Sequence, residues 1–165
     1  MRWIWIDRFL EFESGKSAKA VKLTSSAEDH FRDHFPGYPV MPGSLILEGL
    51  AQTGGILVGE ARNFEEKVVL AKFNFASFTR EVLAGELLIF NAEILSLRTE
   101  GASVNASASV GEETIVEAEI FFAHLDQNRS KQIFGDRNFV FSGELNRLRG
   151  LIESVRKQED QPTTE

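Results

Sequence analysis

The chain has 165 residues, 42% of them hydrophobic, which is enough for one domain with a real core. It contains no cysteine, which removes disulfide and thiolate chemistry and fits a reducing cytosol. The formal charge of −7, from 25 acidic against 18 basic residues, argues against general nucleic-acid binding, which needs a basic face.

No apolar run reaches transmembrane length, and the start, MRWIWIDRF, is too short and too quickly charged for a secretory signal. The expected location is therefore cytoplasmic. Phenylalanine is abundant, 14 residues against one Tyr and two Trp. Most of these rings are expected in the core, with some lining an apolar tunnel.

Residues 3–12, WIWIDRFLEF, alternate loosely and predict a strand. Ser14-Gly15-Lys16 is a hairpin turn signal, and residues 18–25 alternate well enough for a second strand. Ser25 or Ser26 is placed to cap a short helical turn over Ala27 to Phe31. A stiff loop follows. Pro36, Pro39 and Pro42 fix φ, while Gly37 and Gly43 permit tight turns.

Residues 43–59, GSLILEGLAQTGGILVG, form the apolar centre of the chain, and their length favours a helix over a strand. Ser44 is the expected N-cap, Glu48 is expected near the first turn, and apolar residues on nearly every side predict burial all round. Gly49, Gly54, Gly55 and Gly59 each cost such a helix about 1 kcal/mol relative to Ala. That cost implies very close packing, most simply by a sheet wrapped around the helix.

Strand-like stretches follow at approximately 66–80, 86–98, 102–110 and 114–125. Ala84-Gly85-Glu86, Glu100-Gly101 and Gly111-Glu112-Glu113 separate them, and such short connections predict an antiparallel meander. Two strands, a long buried helix and four strands make an α+β chain in which the sheet wraps the helix. Residues 1–125 are the expected domain and 126–158 a C-terminal extension. One helix of that extension runs from Ser142 to about Lys157, with Leu145, Leu148, Ile152 and Val155 on one stripe. Residues 159–165 are the expected disordered tail.

The chemistry concentrates in His34–Gln52, HFPGYPVMPGSLILEGLAQ. It sets an imidazole, which exchanges protons near neutral pH, in the stiff loop. A carboxylate, Glu48, lies in the apolar run beyond it, where such a group tends to hold its proton. No Arg or Lys lies between Arg32 and Arg62 to pair with it locally. His30 and His34 are four residues apart beside Asp29 and Asp33, a spacing that invites a metal reading. Pro36 argues against that reading, because it puts His34 at or beyond the end of any helix. No nucleotide-binding glycine pattern or Ser/His/Asp set stands out. No cofactor or metal is implied, and His124 is expected to be structural.

His34-Phe35-Pro36-Gly37, then Pro39-Val40-Met41-Pro42-Gly43, then Glu48 followed by Ala51-Gln52, resembles the signature of the 3-hydroxyacyl-acyl-carrier-protein dehydratases of fatty-acid synthesis, the FabZ type. The resemblance covers roughly residues 3–125, with Ala84-Gly85-Glu86 where that family usually shows Pro-Gly-Asp. It implies a hotdog fold, with the helix as sausage and the sheet as bun. It also implies an acyl carrier protein bearing a 3-hydroxyacyl chain as substrate and partner. Dehydration needs a base at C2, an acid for the departing oxygen and a donor for the thioester carbonyl. The resemblance supports His34 as base, Glu48 as the group assisting loss of the 3-hydroxyl, and the Gly43 N–H as carbonyl donor. Phe35, Val40 and Pro42 join Gly43 as expected substrate contacts. Glutamate at position 48 resembles the FabZ type, whereas related dehydratase–isomerases carry aspartate, so dehydration without isomerisation is expected.

The resemblance further implies a homodimer whose sites take His34 and Glu48 from different subunits, and it allows such dimers to assemble into a hexamer. Because acyl carrier protein is acidic, docking needs local positive charge. Arg80, Lys72, Arg98, Arg129, Lys131 and Arg137 are the candidates. A hotdog thioesterase and a non-catalytic acyl-binding subunit are the rival readings.

Overall fold

The protein is described from a computed structural model, which covers residues 4–125 together with Gln132, Gly150, Ile152, Glu153 and Val155. Its elements are β1 (Arg8–Glu13), β2 (Ser17–Leu23), α1 (Asp29–Asp33), α2 (Gly43–Glu60), β3 (Lys67–Phe78), β4 (Leu87–Leu97), β5 (Gly101–Val110) and β6 (Glu113–Leu125). Among these residues, no helix is long and apolar enough to cross a membrane.

Period-two patterning sets the faces of the sheet. Ala102, Val104, Ala106 and Ala108 are buried on β5, while Ser103, Asn105, Ser107 and Ser109 turn away. On β6, Val116, Ala118, Ile120 and Phe122 are buried in the same way. The strands form one six-stranded antiparallel sheet in the order β1-β2-β4-β5-β6-β3. Register shifts within β1–β2, β3–β6, β4–β5 and β5–β6 are β-bulges, which bend and twist a ladder. The curved sheet wraps α2, as a hotdog fold does.

The expected close packing on the helix glycines is observed. A Cβ on Gly49 would lie 2.5 Å from Phe90 Cζ, and one on Gly43 would lie 3.1 Å from Phe78 Cε1. Gly54 and Gly55 face the Phe122 ring, and Gly59 faces Phe64. Four of the phenylalanines, Phe64, Phe78, Phe90 and Phe122, are therefore rings laid against bare helix backbone. Phe64 itself has φ 55°, unusual for a bulky residue, and its N–H closes the helix end by donating to the Gly59 carbonyl at 2.8 Å.

Four local expectations are corrected. The first strand starts at Arg8, because Trp5 gives its backbone N–H to the Gln52 side chain, 2.8 Å away, instead of to a neighbouring strand. The short helix α1 is N-capped by Glu28, not by Ser25 or Ser26; the Glu28 carboxylate accepts from the Ser25 N–H at 3.0 Å. Helix α2 begins two residues before the start that a Ser44 cap would set, with Pro42 as N-cap. The Pro42 carbonyl accepts from Leu45 and Ile46, which leaves Ser44 exposed in the first turn and Glu48 in the second. Finally, α2 is not covered all round within one chain. Leu45, Glu48, Gln52 and Gly55 form a half-buried stripe along it.

The meander is real for β4–β5–β6, but β3 does not pair with β4. It lies at the far edge beside β6, so residues 79–86 are a crossover across the end of the sheet. The turn residues Ala84-Gly85-Glu86 mimic a hairpin signal locally, while Thr79 N–H bonds to Ile115 O of β6 and Thr24 N–H bonds to Glu86 O. Of the extension, the described helical residues Ile152 and Val155 are buried in the core cluster, and Gly150 and Glu153 are exposed. Leu145, Leu148 and the tail 159–165 lie outside the described residues.

Gly49→Ala should destabilise the protein despite the better helix propensity of alanine. The new methyl group must displace the Phe90 ring, and such overpacking costs about 1–3 kcal/mol. A lowered urea midpoint at unchanged slope is the expected result; an unchanged or raised midpoint would show that the ring yields freely.

Candidate active site

The Pro/Gly loop is held at both ends by backbone bonds. His34 is the C-cap of α1, its N–H on the His30 carbonyl at 2.9 Å, so it stands past the helix end as the proline spacing requires. Phe35 and Tyr38 exchange N–H···O bonds at 3.0 and 2.9 Å, closing a tight turn in which Gly37 takes φ 81°. Val40 N–H returns to the His34 carbonyl at 2.9 Å, and the His34–Phe35 peptide is cis. The His34 ring lies over the Phe35 ring with centroids 3.9 Å apart. His34 is half-buried, whereas Phe35 and Tyr38 are exposed.

Beyond this turn the chain goes inward. Val40 and Met41 are buried, and Met41 N–H donates to the Val82 carbonyl at 2.8 Å. The Val40 side chain is thus turned into the core, and its N–H is taken by the His34 carbonyl. Pro42 and Gly43 then open α2. The first N–H groups of a helix have no partner within it, and no side chain caps this one. The N–H groups at Gly43 face the loop end with the positive end of the helix dipole behind them. The Phe78 ring lies close over Gly43, 3.1 Å from where a Cβ would stand.

Glu48 sits one turn further along, on the half-buried stripe of α2. Gln52 donates from Nε2 to Glu48 Oε1 at 3.0 Å, and its own Oε1 accepts the Trp5 N–H at 2.8 Å. Gln52 thus ties Glu48 to the segment before β1. The i,i+4 spacing makes the first bond readable in sequence. The second joins residues 47 apart and has no local signal. Among the described residues, no ion pair or hydrogen bond joins His34 to Glu48 within one chain.

His30 is wedged between Trp5 and Phe31, at ring distances of 5.4 and 4.4 Å. Burial lowers its pKa, and nearby Lys22 and His34 add to the shift against Glu28 and Asp29. Its place is in the packing beneath α1. The buried His124 has Nδ1 3.3 Å from a Glu66 carboxylate oxygen and gives its backbone N–H to the Glu100 carbonyl at 3.0 Å. Of the expected docking cations, Arg80 is committed to Glu86 and Glu113 at 3.1 and 3.0 Å. Lys72 and Arg98 are exposed, and Arg129, Lys131 and Arg137 lie outside the described residues.

A family model described as a FabA-like domain matches residues 3–119. A 3-hydroxyacyl-[acyl-carrier-protein] dehydratase FabZ of Desulforamulus reducens is 39% identical over 122 residues, 73% of this chain and 86% of that protein. A protein of the same name from Listeria welshimeri is 39% identical over 125 residues, 75% of this chain and 87% of the relative. Among solved structures, the dehydratase heterocomplex ApeI:P from Xenorhabdus doucetiae aligns with a TM-score of 0.67 at 12% identity, covering 81% of this chain and 91% of the matched chain. That likeness bears on the fold alone.

Replacing Gln52 with Ala removes these two bonds, to the part-buried Glu48 carboxylate and to the Trp5 backbone N–H. At about 1 kcal/mol per bond, the expected loss is about 2 kcal/mol in urea unfolding, with Gln52→Glu recovering little of it because two carboxylates would then meet.

Proposed function

The chain belongs to the FabA-like domain family, and on that premise we propose that it dehydrates 3-hydroxyacyl chains carried on acyl carrier protein to the trans-2-enoyl form, in fatty-acid biosynthesis. The observation that carries the reading is the placement of His34 and Glu48. One stands at the mouth of a rigid loop and the other one turn inside the helix that the loop feeds, with Gly43 between them. Relatives 39% identical over most of their length bear the dehydratase name.

In this reading the thioester carbonyl lies at the N-terminus of α2 and accepts the Gly43 N–H as charge develops on it. His34 takes the proton from C2. The released electron pair forms the C2–C3 double bond as the C3–O bond breaks. Glu48 gives a proton to the departing oxygen, which leaves as water. A proton returns from His34 to the Glu48 carboxylate through solvent, and both groups are restored. Gln52 holds the Glu48 carboxylate in one orientation throughout, and Phe35, Val40 and Pro42 frame the acyl thioester.

The site is shared between two subunits. His34 and Glu48 do not meet within one chain, and α2 leaves a half-open stripe on the Glu48 side. The edge strand β3 carries exposed Leu70, Phe75 and Phe78, and a long apolar edge invites pairing. Antiparallel pairing of β3 with its copy would cover that edge and bring the second subunit to the Glu48 side of α2. Such dimers can assemble further into a hexamer. The same reading takes residues 1–125 as the catalytic domain and 126–158 as an extension packed on it through Ile152 and Val155. It makes the exposed Lys72 and Arg98 the described candidates for meeting an acidic carrier.

Purified protein given 3-hydroxybutyryl-acyl carrier protein should form the conjugated enoyl thioester. His34→Ala should reduce turnover by on the order of a hundredfold or more with the oligomer intact. Near-full activity of that variant would refute the assignment, and release of free carrier thiol in place of enoyl product would point to hydrolysis. Mixing inactive His34→Ala and Glu48→Gln proteins should restore roughly a quarter of wild-type activity, since half of random dimers carry one intact site. Mixed dimers that form and stay inactive would refute the shared site.

A further inference from the structure

The crossover from β3 to β4 carries an ion cluster that the chemistry above does not use. Arg80 makes a two-pronged pair with Glu86, Nη2 to Oε1 at 3.1 Å and Nη1 to Oε2 at 3.2 Å. Its Nε donates to Glu113 at 3.0 Å, and its Nη1 to the Glu81 carbonyl at 2.7 Å. Glu86 Oε2 also accepts the Leu83 N–H at 2.8 Å. One guanidinium therefore gathers both ends of a loop and the start of β6. Between those ends lies Val82, wholly buried, whose carbonyl accepts the Met41 N–H at 2.8 Å. The loop is sewn to β2 as well. Thr24 Oγ1 donates to the Leu83 and Glu86 carbonyls at 2.8 and 2.9 Å.

We infer that Arg80 and Glu86 are positioning residues, a clasp that fixes the Val82 carbonyl and, through Met41, the segment Val40–Gly43 that presents the Gly43 N–H. The inference rests on the proposed dehydratase reading for its catalytic consequence, but not for its structural one. The bond from Met41 to Val82 is a backbone link between the Pro/Gly loop and the β3–β4 crossover. It holds only while the loop keeps Val82 turned inward. Arginine suits the task because its planar fork grips a carboxylate at two points, which a lysine cannot do. Both groups are charged at neutral pH. Burial pushes the Glu86 carboxyl up, but the Arg80 guanidinium and the Leu83 N–H together hold it below the usual carboxylate range. Glu86 thus keeps its charge above that range and loses it only as pH falls through the lowered value. Hydrogen bonds to Glu86 and Glu113 likewise raise the Arg80 pKa.

The test compares Arg80→Ala, Arg80→Lys and Glu86→Gln in the full chain, well below its unfolding temperature. It reads kcat, KM for the acyl carrier protein substrate, and amide hydrogen exchange at Met41. The clasp predicts that Arg80→Ala and Glu86→Gln both lower kcat by on the order of tenfold or more, with KM within about twofold. It predicts that Met41 exchange rises by on the order of tenfold in both while Ala106, in the middle of β5, stays protected. Arg80→Lys should fall between wild type and Arg80→Ala. If Arg80 instead docks the acidic carrier, Arg80→Ala raises KM at constant kcat and Glu86→Gln has no such effect, which overturns the inference. Unchanged Met41 protection in both Arg80→Ala and Glu86→Gln also overturns it, whatever the activity. A wild-type protein without dehydratase activity would sink the functional reading alone, since the exchange data stand apart from it.

Discussion

The contact between the phenylalanine rings of the sheet and the bare backbone of α2 is the constraint on which the rest of this molecule depends. A helix with four internal glycines is poor in isolation, and only tertiary packing stabilises it. Here the glycines permit rings to lie where a methyl group would collide, as Phe90 does on Gly49. The sheet can then curve closely around the helix, aided by its bulges. Phe78 lies close over Gly43, less tightly, so a sheet ring also borders the first turn of the helix. The fold and the candidate oxyanion donor share one packing scheme.

The site combines two kinds of rigidity. The loop from His34 to Pro42 is stiff by covalent restriction and by short backbone bonds, so the imidazole has little conformational freedom at its root. Glu48 is fixed differently. A helix turn positions its backbone, and Gln52 holds its carboxylate through a bond chain that ends on the N–H of Trp5. The two halves are held independently, one by local bonds and one through Trp5, which suits the proton-transfer roles proposed for them.

Much of this was legible in the sequence because its causes are local. Alternation in Val104, Ala106 and Ala108 reports a half-buried strand, and the glycines of α2 announce close packing before any partner is known. The stretch from His34 to Gln52 carries its chemistry in consecutive residues. The misread features have non-local causes. Ala84-Gly85-Glu86 has the local chemistry of a hairpin turn, yet β3 pairs with β6, and nothing near residue 80 states that. Ser44 is a good cap by type, but Pro42 already supplies the geometry that begins the helix. Arg80 reads as a free surface cation until the fold brings Glu86 and Glu113 to it. The helix reads as buried all round because hydropathy does not say which side the chain's own sheet leaves half-open.

The placement of β3 also sets an order for construction. β3 is synthesised directly after α2, but its ladder partner β6 follows some 45 residues later, as the bond from Asn74 to Glu119 illustrates. During synthesis β3 therefore has no ladder partner until β6 is made, and Phe73, which packs against the core in the finished fold, lacks that cover until then. Over the same interval Gly54 and Gly55 lack the Phe122 ring that will lie on them. β6 thus supplies one ladder to β3 and one ring to the helix in the same late step. For this chain, truncation anywhere before β6 removes the partner of β3 and the ring that covers Gly54 and Gly55 at once.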